Sequence, residues 1–230
     1  AAPATTAVPP MTDWPEDLRA VVGGDYYFLH GGLEFDGREI SPLDEAELSA
    51  AARKIRDQGI DAVAITSVFS PLDAEMEHRA EAILRRELPA AAITLSHRIG
   101  RIGLLERENA AILNAALSGL AGVVLGAFSQ AIDDLGLAAP LYISQNDGTL
   151  MTAAHAARYP VLTFASGPTN SMRGAAVLSG FNDALVVDVG GTTTDIGLLL
   201  DGFPREAAMT VEVGGVRTIF RMPDLLALGL

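Results

Sequence analysis

Cysteine is absent from all 230 residues, which excludes disulfides, thiolate metal sites, iron–sulfur ligation and cysteine nucleophiles together. Any chemistry is left to oxygen and nitrogen groups. Basic residues are scarce as well, 16 Lys+Arg against 29 Asp+Glu, for a formal charge of −13. Such a field repels a phosphate backbone at long range, so no nucleic-acid partner is expected, and an anionic ligand needs backbone N–H groups or a bound cation. Aromatics make up only 6% of the chain, and Trp14 and Tyr26-Tyr27 read as packing residues. The N-terminal stretch lacks the basic, apolar, small-residue order of a signal peptide, and a cytoplasmic location is expected. No serine sits in a nucleophile-elbow context. His30, His78, His97 and His155 show no metal-ligand spacing, and His78 lies among helix-surface charges.

What is present is a 49% hydrophobic content, ample for a buried core. The segment from Ala110 to Ile132 is uncharged and long enough to span a bilayer. It is interrupted by Asn114, Ser118, Ser129, Gln130 and the glycines Gly119, Gly122 and Gly126, and its apolar residues recur at helical spacing: Leu113, Leu117, Leu120, Val124, Phe128, Ile132 and Leu135. The expectation is a long helix from about 103 to 135 packed on a sheet, with no membrane involved.

Upstream, Tyr26 to Leu29 reads as a short strand and Gly31 to Ile40 as a hairpin turning at Asp36-Gly37. A helix starts at Ser41-Pro42-Leu43-Asp44, buries Leu48, Ala51, Ala52 and Ile55, and ends at Gly59. Strands at 60–66 and 93–96 flank a helix at 73–88. Downstream, a strand at Pro140 to Ser144 delivers Gln145-Asn146-Asp147-Gly148, and a helix at 152–158 precedes a strand at Val161 to Phe164. The loop Ser166 to Ser171 follows, Pro168 opening the next helix and Gly180 closing it. Ala184 to Val187 is apolar at every position, as in a strand buried on both faces. This alternation predicts an α/β fold with a mostly parallel sheet and crossover helices. The expected division is an irregular linker at 1–20, an α/β portion of a first lobe at 21–182, and the start of a second lobe at 183–230.

The chemistry concentrates at Asp188-Val189-Gly190-Gly191-Thr192-Thr193-Thr194-Asp195. Adjacent glycines let a backbone turn with positive φ and approach a ligand closely, so that successive N–H groups grip phosphate oxygens. The threonine hydroxyls add donors. Asp188, at the end of its strand, can hold a metal or its water beside a phosphate, and Asp195 can do so from the returning strand. The same residues also describe a tight turn that binds nothing. Arg107 beside Glu106, and Arg173, are candidate anion contacts whose plainer reading is a helix-surface charge.

This motif resembles the second phosphate loop of the actin/Hsp70/sugar-kinase ATPase superfamily. The chain more specifically resembles the hydantoinase/oxoprolinase family, of the hydantoin utilization A type. The resemblance runs through Gly31-Gly32-Leu33-Glu34-Phe35-Asp36-Gly37-Arg38-Glu39-Ile40, Asn114-Ala115, Pro140-Leu141-Tyr142-Ile143 with Gln145-Asn146-Asp147-Gly148, and Ser166-Gly167-Pro168. It continues in Val213-Gly214-Gly215-Val216-Arg217 and Phe220-Arg221-Met222-Pro223-Asp224.

The resemblance implies a ribonuclease H-like (actin-like ATPase) lobe, and ATP with a divalent cation, Mg, as cofactors. It implies opening of a cyclic amide or imide, such as a hydantoin or 5-oxoproline, by phosphorylation of the ring carbonyl oxygen and attack of water. Asp188, Asp195 and Arg107 are then the catalytic candidates, with Asp188 on the metal. Gly190, Gly191, Thr192 and Thr193 would hold the nucleotide, and Asn146, Asp147, Gly148, Ser166, Gly167 and Arg173 the substrate. A partner subunit of the hydantoin utilization B type and an oligomeric full-length form are also implied. Related members are subunits of ATP-dependent ketone carboxylases, and a non-catalytic fragment or assembly subunit is the other class of reading. The chain departs from the family pattern at Glu108-Asn109-Ala110-Ala111 and at Thr169-Asn170-Ser171-Met172-Arg173, which bears on substrate identity. With one such loop in view, the chain reads as a middle portion of a longer protein, and is expected to have no ATP-dependent activity alone.

Overall fold

A computed structural model describes residues 8–207 and 210–229. The chain divides into two compact units, Ala1–Gly119 with Glu212–Phe220 and Leu120–Val211 with Arg221–Leu230. The division therefore falls within the long helix and not at the expected 182/183 boundary. Residues 1–7 of the expected linker lie outside the described residues, as does Leu230. Residues 8–15 of the linker are turns and irregular chain, but from Glu16 it is helical, as α1 (Glu16–Val22) forms with Glu16 and Asp17 in its first turn.

In the first unit, α2 (Glu45–Asp57) is capped by Asp44, whose carboxylate accepts from the Ala46 and Glu47 N–H groups. Its buried face is the expected Leu48, Ala51, Ala52 and Ile55. The strand β1 (Ala62–Ile65), the helix α3 (Glu75–Glu87) and the strand β2 (Ala92–Leu95) follow. β1 and β2 pair in parallel, Val63 opposite Ile93 and Ile65 opposite Leu95. Leu48, Ala52 and Ile55 meet Ala80, Ile83, Leu84, Ile93 and Leu95 in one core. Each large aliphatic side chain there contributes roughly 1.5–3 kcal/mol by leaving water. Tyr26 to Leu29 forms no strand; Tyr27 and Leu29 instead pack on this core from an irregular segment. The turn at Asp36-Gly37 is as expected, with a Leu33–Glu39 bridge and Gly37 at φ +84°.

The helix α4 (Leu104–Asp134) matches its expected extent but not its expected packing. Its buried residues run only from Arg107 to Ala115. Beyond them Leu120, Val124, Phe128 and Leu135 are 42–73% exposed, so the apolar stripe is not laid on a sheet. By length and composition alone this helix could cross a membrane.

The second unit contains the hairpin β3 (Tyr142–Ser144) and β4 (Leu150–Thr152), then α5 (Ala153–Arg158), capped by Thr152. Val161 to Phe164 is not a strand: Pro160–Thr163 is a short 3₁₀ turn, consistent with a proline that fixes φ and has no N–H to pair. The helix α6 (Ser166–Ser179) begins at Ser166, so Ser166 to Ser171 is helix and not loop, and Gly180 closes it in the left-handed conformation.

The strands β5 (Ala184–Val189), β6 (Thr193–Leu200) and β7 (Phe203–Pro204) form an antiparallel meander. The hairpin of β8 (Val211–Val213) and β9 (Val216–Thr218) comes next, and β10 (Leu225–Gly229) pairs antiparallel with β6. The expectation of a mostly parallel sheet is thus corrected. Among the described residues only β1 and β2 are parallel, since links as short as Gly190–Thr192 and Asp201–Gly202 permit antiparallel pairing alone.

Nor is β5 buried on both faces. Ala184 and Val186 pack with Met172, Ala176, Leu199 and Leu225, whereas Leu185, Val187 and Val189 are 52–67% exposed. α6 lies so close to the sheet that a Cβ at Gly197 would sit 2.8 Å from Met172 Sδ and 2.7 Å from Leu225 Cδ2.

Candidate functional site

The expected phosphate loop is the link between β5 and β6. Asp188 and Asp195 are directly opposite in the register, and alternation places both on the face that carries Val186 and Gly197. Like charges facing across strands repel, so this pair gains from a cation between or beside the carboxylates. Among the described residues no three His, Asp or Glu side chains converge as a metal group. Two carboxylates fit a hard cation that takes its remaining ligands from phosphate and water.

The expected positive φ at the two glycines is not observed. Gly190 instead serves by lacking a side chain, since a Cβ would lie 3.1 Å from the Thr193 carbonyl that its own N–H donates to at 2.8 Å. A Cβ on Gly191 meets nothing within 4 Å, which leaves that side of the loop open. The N–H groups of Gly191 and Thr192 have no hydrogen-bond partner among the described residues. Thr192 and Thr193 are exposed. Asp188, Gly190, Gly191, Thr192, Thr193 and Asp195 are therefore gathered on one hairpin end.

The residues expected at the substrate are held differently. Asn146 is buried, donates from Nδ2 to the Val161 carbonyl at 2.9 Å and accepts the Ala165 N–H at 2.8 Å. Asp147 Oδ1 accepts from the Thr149 N–H and hydroxyl, and Oδ2 lies 3.5 Å from Arg221 Nη1. Arg173 donates to the Gly202 carbonyl, stacks 3.9 Å over the Phe203 ring, and backs the β3–β4 turn at Gly148. Gly202 lies beyond the far end of β6 from the phosphate loop. Eight strand residues separate those ends by roughly 25 Å, so the structure does not bring Arg173 and Gly148 to that loop. Ser166 and Gly167 occupy the first turn of α6.

Arg107 belongs to the first unit and is not a surface charge. It is 0% exposed and donates from Nε to Ser96 Oγ (2.9 Å), from Nη1 to the Arg101 and Ile102 carbonyls, and from Nη2 to the Ser67 carbonyl (2.5 Å). Burial pulls its pKa below the ordinary range, and the Glu77 charge opposes that pull. Its neighbour Glu108 is pushed up to about 7 by burial. Asn109, one of the departures from the family pattern, accepts from Trp14 Nε1 at 2.8 Å and donates to the Arg217 carbonyl at 3.0 Å. It ties the N-terminal segment and β9 to α4.

Sequence reasoning missed Glu77, Ser96 and His97, which join Arg107 in one buried network. Glu77 lies on α3, Ser96 and His97 on the turn after β2 and Arg107 on α4, and no spacing signals that these three elements converge.

The chain matches two parts of one protein family. Residues 5–88 match the hydantoinase/oxoprolinase N-terminal region, and residues 107–230, more than half the chain, match hydantoinase/oxoprolinase. The chain belongs to the hydantoinase/oxoprolinase family. It is 31% identical over 192 residues to the alpha subunit of the caprolactamase of Pseudomonas jessenii, covering 82% of this chain and 27% of that one. It is 26% identical over 183 residues to the acetophenone carboxylase gamma subunit of Aromatoleum aromaticum, covering 75% and 25%. The ATP-dependent caprolactamase structure from Pseudomonas jessenii superposes with a TM-score of 0.73 at 26% identity, over 87% of this chain and 30% of that one. Nucleotide-free acetone carboxylase superposes at 0.72 and 18% identity, over 95% and 35%, a likeness of fold alone. The chain spans about a quarter of the length of the curated relatives it matches.

Proposed function

We propose that the full-length protein opens a cyclic amide or imide at the expense of ATP, together with a partner subunit, and that the β5–β6 hairpin is one of its phosphate-holding loops. The observation that carries this reading is the pair of unbonded amides, Gly191 and Thr192, flanked by the facing carboxylates of Asp188 and Asp195. The amides offer donors to phosphate oxygens, and the carboxylates offer the hard oxygen ligands that Mg takes. Asp188 is assigned the cation, with Asp195 opposite it. ATP would supply the phosphoryl group that makes the ring carbonyl oxygen a leaving group. An actin-like ATPase lobe, an oligomeric assembly and a cytoplasmic setting are part of the same proposal. Support comes from the ATP-dependent caprolactamase among the relatives.

A second reading, a subunit of an ATP-dependent ketone carboxylase, draws on the likeness to the acetophenone carboxylase gamma subunit. Phosphate release from ATP by the full-length protein with its partner distinguishes the two, measured with hydantoin, 5-oxoproline, caprolactam, or acetone plus bicarbonate. The expected result is stimulation by a cyclic amide that Asp188→Asn lowers by at least about 100-fold. Unchanged turnover in that variant removes Asp188 from the chemistry. Stimulation by the ketone alone selects the carboxylase reading. The 230-residue chain by itself is expected to release no phosphate.

A further inference from the structure

β5, β6 and β10 all belong to the second unit, and their sheet is packed on one side only. α6 covers the side that carries Val186, Gly197 and Leu225. The other side is apolar and bare. The register places Val187, Ile196 and Leu226 in one row across it, with Leu185 at one end and Val189 and Leu228 at the other. Val187 and Leu226 are 52% and 56% exposed, and Leu185 and Val189 are 63% and 67% exposed. No lysine or arginine lies on any of the three strands. Contiguous apolar surface of this kind marks a place where something else packs.

The same residues border a second open surface. Among the described residues β5 has β6 as its one neighbour. The Gly190 N–H donates to the Thr193 carbonyl, so that pair is a hydrogen-bonded one, and antiparallel alternation then turns the N–H and C=O groups of Asp188 and Val186 toward β6. Those of Leu185, Val187 and Val189 point off the free edge. Their N–H groups have no hydrogen-bond partner among the described residues. Exposed edges are normally blunted by proline, lysine or a bulge, and none of these interrupts the six residues of β5. Such an edge is a template for strand addition.

We propose that the β5 edge takes a further strand and the bare face a helix, both from the full-length polypeptide outside residues 1–230; this rests on the longer chain of the reading above and not on its activity. An added strand alone would leave the face open. A helix joined to that strand by a crossover connection lies on a sheet face, and sheets built this way are covered on both sides. With α6 on one side, the bare side is the one left for it. Length favours the same polypeptide as the source, because this chain covers only 27% of the caprolactamase alpha subunit and most of that subunit lies outside the matched span. A second copy fits less well. β5 laid against β5 would bring the Asp188 carboxylates of two chains of charge −13 together, with no basic residue on the sheet to offset them.

The sample that tests this is the wild-type full-length protein prepared without its partner subunit, so no variant has to fold. Hydrogen exchange read at single residues is expected to show the Leu185, Val187 and Val189 amides exchanging at least about 100-fold more slowly than the unbonded Gly191 and Thr192 amides of the adjoining loop. Photo-leucine in place of leucine is expected to cross-link positions 185, 226 and 228 to peptides outside residues 1–230. In a mixture of light and heavy nitrogen-labelled protein, both halves of each link should carry one label. Links that pair the two labels select a second copy and overturn the proposal. Protection that arises only when the partner subunit is added selects the partner, and overturns it as well. Exchange of the three amides as fast as that of the loop, or links confined to residues 1–230, leaves the edge and face uncovered and sinks it outright. None of these readouts uses turnover, so the proposed function stands or falls separately.

Discussion

In the first unit charge is turned inward: Glu77 and Arg107 are fully buried, and their hydrogen-bonding atoms meet Ser67, Ser96, His97 and backbone carbonyls. In the second unit charge is turned outward, with Asp188 and Asp195 half-exposed at a hairpin end and two loop amides unbonded. The contrast separates two kinds of polar site. A network satisfied by the protein fixes geometry and protonation, and losing one member leaves the others stranded in a poor solvent. A site satisfied by nothing in the protein is available to a ligand, and losing a member costs the fold little.

The largest effect that tests this contrast is on stability. Arg107→Ala strands Glu77 without its partner charge and empties the Ser67 carbonyl of its donor, so it is expected to cost about 3–5 kcal/mol. Asp188→Asn removes half of a repelling pair and is expected to change stability by less than about 1 kcal/mol. Urea unfolding of both variants measures the difference. Equal losses break the comparison, because the hairpin would then be as structurally committed as the network.

A second test lies within the second unit, between its packed and its open glycine. Gly197→Val drives methyl groups into Met172 and Leu225, and overpacking of this kind is expected to cost about 1–3 kcal/mol. Gly191→Ala meets open space, and its expected cost is below about 0.5 kcal/mol. The same alanine stands beside the unbonded amides, so it is expected to weaken ATP binding in the full-length protein. Calorimetric titration alongside urea unfolding separates the two effects.

These contrasts also explain what the sequence made visible. Asp188 to Asp195 is contiguous, so its hairpin and its chemistry were legible from one window, as were the α2 face and the Asp44 cap. Two features of the same region were not. The apolar run Ala184 to Val187 has no polar residue to reveal that one of its faces is open, and the glycines gave no sign that Gly190 acts by clearance and not by left-handed φ. Arg107 was found as a residue but misread in place, because burial depends on Ser67 and Ser96, 40 and 11 positions away. Glu77 and His97 could not be paired from spacing at all.

A third test sharpens the comparison from inside the first unit. Glu108 is adjacent in sequence to Arg107, but among the described residues no hydrogen bond to its carboxylate accompanies the burial that pushes its pKa from 4.5 up to about 7. A carboxyl whose folded pKa exceeds its unfolded value holds more protons in the folded state. Its contribution to stability is therefore fully present below about pH 4.5 and is lost as the pH rises through about 7. The full shift corresponds to about 3 kcal/mol, and partial hydration of the side chain reduces the expected loss to about 1–2 kcal/mol. Glu108→Gln abolishes that titration, so it is expected to match the wild type at pH 4.5 and to be the more stable of the two at pH 8. Urea unfolding at both values checks the sign. A variant less stable than the wild type at pH 8 would mean that the Arg107 charge outweighs burial at this carboxylate. Glu108 would then join Glu77 as a satisfied member of the inward-turned network.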